Sequence, residues 1–106
     1  MLGHYRSRLA IIADILKVVK DRPKKTQIMY QANLSFKVLQ RYLAEITGAS
    51  LANFDDEANC YVMTEKGFRF LTAYQEYSKT SKKLENRVNE ARSKQKLLEK
   101  LCSEQA

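Results

Sequence analysis

A mainly α-helical chain with one small β-hairpin, closing on a long helix, is the fold class that this sequence predicts. Three observations carry it. Apolar residues recur at helical spacing in two separate blocks, Leu9 to Val19 and Phe36 to Ile46. Two short runs, Leu51 to Phe54 and Cys60 to Met63, flank a polar stretch and read as paired strands. From Thr64 onward there is no proline, the only glycine is Gly67, and apolar residues keep returning every three or four positions.

The first helix is expected from Arg8 to Lys20. Leu9, Ile12, Ala13, Leu16 and Val19 form one stripe, widened by Ile11, Ile15 and Val18, so the helix is covered on more than one side. Ser7 is its N-cap, and Pro23 ends it because a proline pushes the preceding residue out of the helical region. A second, short helix runs from Lys25 to Ala32, with Ile28 and Met29 as core contacts, and Asn33 suits the left-handed conformation that closes a helix. Ser35 caps a third helix whose core face is Phe36, Leu39, Leu43 and Ile46 and whose other face carries Lys37, Gln40, Arg41 and Glu45; Gly48 stops it. The hairpin has an acidic tip at Asp55, Asp56 and Glu57. Thr64 caps the last helix, with Glu65 in the first turn where the helix dipole favours an acid.

Helix, polar turn at Asn33-Leu34-Ser35, basic helix, hairpin and helix is the order of a winged helix-turn-helix, whose second motif helix enters the DNA major groove. This head is expected over residues 1–66 and a coiled-coil dimerisation helix over residues 67–106. Numbering Tyr74 as heptad position a places Tyr74, Tyr77, Ser81, Leu84, Val88, Ala91, Gln95, Leu98 and Cys102 at alternating a and d positions, with Lys, Arg, Glu, Asn and Ser dominating between them. At 1.5 Å per residue that seam is about 43 Å long, too long to fold back on so small a head, so a second copy of the chain is the expected cover. Flanking charges do not orient the pair. A parallel pair sets Lys94 near the partner's Glu99 but Arg87 near the partner's Arg92; an antiparallel one has an attractive and a repulsive set too.

Composition points the same way. Of 106 residues, 19 are Lys or Arg and 12 are Asp or Glu, a net charge of +7. The excess is uneven: nine bases face three acids over residues 1–47, whereas residues 48–63 hold three acids and no base. A basic region of this kind is the electrostatic footprint of a polyanion binder. Cys60 and Cys102 form neither a disulfide framework nor a zinc pattern, which fits a reducing compartment. No signal-peptide core opens the chain, and no apolar run approaches a bilayer's thickness, so a cytoplasmic, nucleoid-associated protein is expected, without a membrane partner. With one histidine, no Gly-rich phosphate loop and no nucleophile elbow, neither an enzyme, a cofactor, a metal nor a small-molecule substrate is expected.

The expected DNA contacts are Ser35, Lys37, Gln40 and Arg41 at the exposed early face of the third helix, with Lys24, Lys25 and Gln27 opening the second. Gln and Arg can pair bidentately with bases, whereas Lys mainly neutralises phosphate. Arg6, Arg8 and His4 fit a basic arm or a frayed terminus equally well. Tyr30 and Tyr42 read as core or rim packing, and Tyr74 and Tyr77 as seam residues. Asp55, Asp56 and Glu57 read as a solvated turn rather than a cation site.

The segments TQIMYQANLSFKVLQRYL and YVMTEKGFRFL, with the heptad tail, resemble small archaeal winged-helix proteins and, more narrowly, the crenarchaeal ten-kilodalton DNA-binding chromatin proteins. The resemblance covers nearly the whole chain. It implies a winged-helix head at each end of a dimer built on an antiparallel coiled coil, binding double-stranded DNA with little sequence preference. Met63 before the threonine departs from the family pattern. The acidic wing tip departs too, and its carboxylates disfavour a wing-on-phosphate contact. Two other functions fit the residues: a sequence-specific transcription regulator reading bases through Gln40 and Arg41, and a protein-interaction module whose seam binds a different coiled-coil chain.

Overall fold

The computed structural model describes residues 6–105; His4 lies outside them. The elements are α1 (Arg8–Val19), α2 (Lys25–Gln31), α3 (Phe36–Gly48), β1 (Ala52–Asp55), β2 (Cys60–Met63) and α4 (Glu65–Ser103). The chain divides into two compact units between Tyr74 and Gln75.

In the first unit, α1 to α3 and the hairpin enclose one apolar core. Ile15 and Leu16 of α1, Ile28 of α2, and Leu39 and Ile46 of α3 are all fully buried. The start of α4 closes that core through Leu71, with Phe70 and Tyr74 packed against it. Each such side chain contributes about 1.5–3 kcal/mol on leaving water. Two residues expected in the core lie outside it: Leu9 is 41% exposed and Phe36 is 58% exposed. Both sit in the first turn of their helices. A stripe at helical spacing fixes which face points inward but not where along the axis the core ends. Tyr42 is buried, as expected, whereas Tyr30 is 78% exposed and packs into neither core nor rim.

Helix ends follow local chemistry. Ser7 Oγ accepts from the Ala10 amide at 3.1 Å, and Ser35 Oγ from the Val38 amide at 3.3 Å. Both α2 and α3 end in the same motif: the Leu34 amide donates to Met29 O and the Leu51 amide to Ile46 O, each at 3.0 Å, across a left-handed residue. For α2 that residue is Asn33 (φ 54), as expected; for α3 it is Ser50 (φ 61) rather than a glycine. Gly48 is only the last helical residue, and α3 turns two positions later than its glycine implied. Likewise α1 stops at Val19, and Arg22 (φ 51) takes the left-handed turn before Pro23.

The hairpin pairs Ala52 with Met63 and Phe54 with Tyr61 in antiparallel register, and those two aromatic rings lie 5.0 Å apart. Its first strand begins one residue later than expected, because Leu51 closes the end of α3. The Tyr61 amide donates to Pro23 O at 2.9 Å, fastening β2 to the α1–α2 connection. Thr64 caps α4 as expected, its Oγ1 accepting from the Gly67 amide at 3.0 Å.

In the second unit, α4 continues unbroken to Ser103, and every described side chain of residues 75–105 is exposed in the single chain.

Candidate nucleic-acid interface

The turn between α2 and α3 spans Ala32 to Ser35, and its geometry is held from outside the motif. Arg6 donates through Nη1 to Ala32 O at 2.8 Å and through Nη2 to Asn33 O at 3.0 Å. The same Nη1 meets Asp14 Oδ2 of α1 at 3.0 Å. Arg8 pairs with Glu45 of α3, whose carboxylate holds the guanidinium pKa above its usual value through a hydrogen bond and charge attraction. Arg6 and Arg8 are therefore structural ties of the head rather than a free basic arm.

With the turn fixed, α3 presents Lys37, Gln40 and Arg41 on one open groove, together with Phe36 and Ala44. All five are exposed. Three of the sequence-predicted contacts thus share one surface. Ser35 stands at the head of that surface, its oxygen committed to the helix cap while its hydroxyl hydrogen stays able to donate. The Arg41 guanidinium lies 5.3 Å from the Tyr42 ring centroid.

Lys24, Lys25 and Thr26 line a second groove with Phe54, Asn59 and Tyr61 of the hairpin. Partial burial raises the Tyr61 phenol above its usual pKa, so it stays a neutral hydrogen-bonding group beside the lysines. The Lys25 ammonium lies 4.4 Å over the Phe36 ring, linking the two surfaces by a cation–π contact. Gln27 is differently employed: its Oε1 accepts from the Lys24 amide at 2.8 Å and caps α2.

The acidic tip is a self-contained turn. Asp55 Oδ1 accepts from the Glu57 amide at 3.1 Å and from the Ala58 amide at 3.3 Å. The basic groove uses Phe54 and Tyr61 of the strands and Asn59 at the end of the turn, and none of the carboxylates. Sequence reasoning missed these three residues and Phe36. The first three become neighbours of α2 through tertiary packing of the hairpin, to which the Tyr61–Pro23 bond contributes. For Phe36 a signal existed, its place immediately after the Ser35 cap.

Two helices joined by a tight turn, a basic second helix and a two-stranded wing define a winged helix-turn-helix protein. The winged helix-turn-helix family model matches residues 5–82, and the chain belongs to that family. An uncharacterised protein of Methanocaldococcus jannaschii is 36% identical over 72 residues, which are 67% of this chain and 33% of that relative; the chain thus spans about one third of that relative's length. Among solved structures, the chain is similar to Sso10a-2, a DNA-binding protein from Sulfolobus solfataricus. That likeness has a TM-score of 0.78 at 26% identity and covers 83% of this chain and 95% of the other. Among the described residues no helix is long and apolar enough to cross a membrane.

Proposed function

We propose that this chain binds double-stranded DNA as a homodimer with little sequence preference, in the manner of a chromatin or nucleoid protein. The observation that carries the reading is the α3 groove, where Lys37, Gln40 and Arg41 stand together on the helix that a winged helix-turn-helix offers to the major groove. The likeness to a DNA-binding protein over nearly its entire chain supports it. Lys37 and Arg41 neutralise phosphates, Lys24 and Lys25 extend the basic surface toward the hairpin, and Gln40 is placed for base edges. The second unit supplies the dimer. Leu84 and Leu98 are 65% and 63% exposed, and both fall on the heptad seam, where burial against a second copy is the stable outcome.

A fluorescent duplex of random sequence, titrated with the protein at low salt, tests the reading. Tight binding that unlabelled random DNA reverses, with no single oligonucleotide standing far apart from the rest, is expected. Absence of binding sinks it, and a single oligonucleotide competing about 10³-fold better shows a sequence-specific regulator instead. An antiparallel pair sets the two heads at opposite ends, suited to bridging or stiffening DNA, whereas a parallel pair sets them side by side. In a chain with Cys60 and Cys102 replaced, cysteine installed at Gln105 (Gln105→Cys) crosslinks efficiently to its counterpart only in the parallel pair.

A further inference from the structure

Phe36 does not belong to the core, and its surroundings say what it is for. It is the first residue of α3, it remains 58% exposed, and it lines the same groove as Lys37, Gln40, Arg41 and Ala44. Phe36, Gln40 and Ala44 follow each other at intervals of four, so they form one row along the helix, with Lys37 and Arg41 alongside. The row is apolar, amide, apolar; its flank is cationic. Lys25 covers the ring from the α2 side at 4.4 Å.

A lone exposed aromatic is ordinary on a protein surface. This one is hemmed by three cations at the beginning of the helix whose N-terminal residues meet base edges in this motif. The cations select a polyanion. The ring and the Ala44 methyl then need an apolar feature on that polyanion, and in the major groove of DNA the only one is a methyl at pyrimidine C5, which thymine carries and cytosine lacks. Gln40, between them, has the donor and acceptor that match adenine, thymine's partner.

We propose that Phe36 is a C5-methyl sensor: its ring packs on the thymine methyl in the major groove and gives the head a preference for A·T-rich or C5-methylated DNA. The inference rests on the DNA-binding reading above and names the feature of the duplex that this surface recognises. Preference of this kind depends on composition rather than on a defined operator, because any thymine offers the same methyl.

The test compares affinities of the full chain for a short A·T-rich duplex and for the same duplex with every thymine replaced by deoxyuridine. Each methyl that meets a Phe36 ring is expected to be worth about fourfold in affinity. Phe36→Ala removes the thymine-over-uracil ratio, Phe36→Leu retains part of it, and Lys37→Ala leaves it unchanged while weakening binding to both duplexes. A G·C-rich duplex whose cytosines carry C5 methyl groups separates the methyl from A·T groove shape; wild type gains affinity on methylation and Phe36→Ala does not. Because Phe36 is exposed, the alanine variant is expected to fold, and its melting curve confirms that. Equal affinity for thymine and uracil duplexes overturns the proposal and leaves DNA binding intact. So does a thymine preference that survives in Phe36→Ala. Failure to bind any duplex overturns both.

Discussion

The Arg6 guanidinium reaches the Ala32 carbonyl at 2.8 Å, across 26 residues of chain. Through that bond and its neighbours to Asn33 O and Asp14, one side chain ahead of α1 locks the turn that sets the angle between α2 and α3.

Replacing Arg6 with Ala removes three charge-assisted bonds at a half-buried position and strands the Ala32 carbonyl. A loss of about 1–2 kcal/mol is expected, discounted from the usual range for charged hydrogen bonds because the pair stays partly solvated. Thermal unfolding reads it as a drop of roughly 5–15 °C. Arg6→Lys restores little of this, since an ammonium cannot reproduce the guanidinium fork.

Gly67 is where α4 passes the end of α3. A Cβ there meets Leu51 O at 2.1 Å and Met63 Cγ at 2.7 Å. The methionine can move; the carbonyl is fixed, because it also accepts from the Thr64 amide and hydroxyl. Gly67→Ala is therefore expected to destabilise the head by about 3 kcal/mol despite alanine's better helix propensity, read as a lower denaturant midpoint. An unchanged midpoint contradicts this packing.

Lys37→Ala and Arg41→Ala are expected to weaken binding to all duplexes alike. Each removes one phosphate contact per head, so the salt slope of the dimer becomes shallower by about 2 per substitution. Loss confined to one DNA sequence argues for base reading by Arg41.

On the seam, Leu84→Asp with Leu98→Asp places carboxylates where apolar burial is needed. Light scattering is expected to show a monomer with an intact head, and DNA affinity falls about 10²-fold or more as the two heads lose their linkage. A dimer that persists shows that another surface joins the chains.

Tyr61 gives the head an alkaline limit. Its folded pKa is raised by burial, so the unfolded chain releases the phenol proton first. Stability is complete below about pH 10, the ordinary phenol value, and declines as pH rises through the higher folded value. Tyr61→Phe is expected to flatten that decline in a chemical-denaturation series.

Sequence periodicity and capping chemistry made the element order legible: Ser7, Asn33, Ser35 and Thr64 all sit where their local preferences put them. Core limits were not legible, because Leu9 and Phe36 continue their stripes in register and only three-dimensional packing shows that the core does not reach them. The α3 groove could be read from Lys37, Gln40 and Arg41, as residues near in sequence on one helix share a face. The hairpin's part in the second groove could not, since it depends on tertiary packing, to which a backbone bond between Tyr61 and Pro23, 38 positions apart, contributes. Nor does sequence distinguish an arginine that binds DNA from one, such as Arg6, that ties the scaffold.

The most direct test of the central claim is the salt dependence of wild-type binding to a random-sequence duplex. With about four phosphates neutralised by each of two heads, log K is expected to fall against log salt with a slope near −7. A slope near zero, or no binding even at low salt, would contradict DNA binding through these basic surfaces.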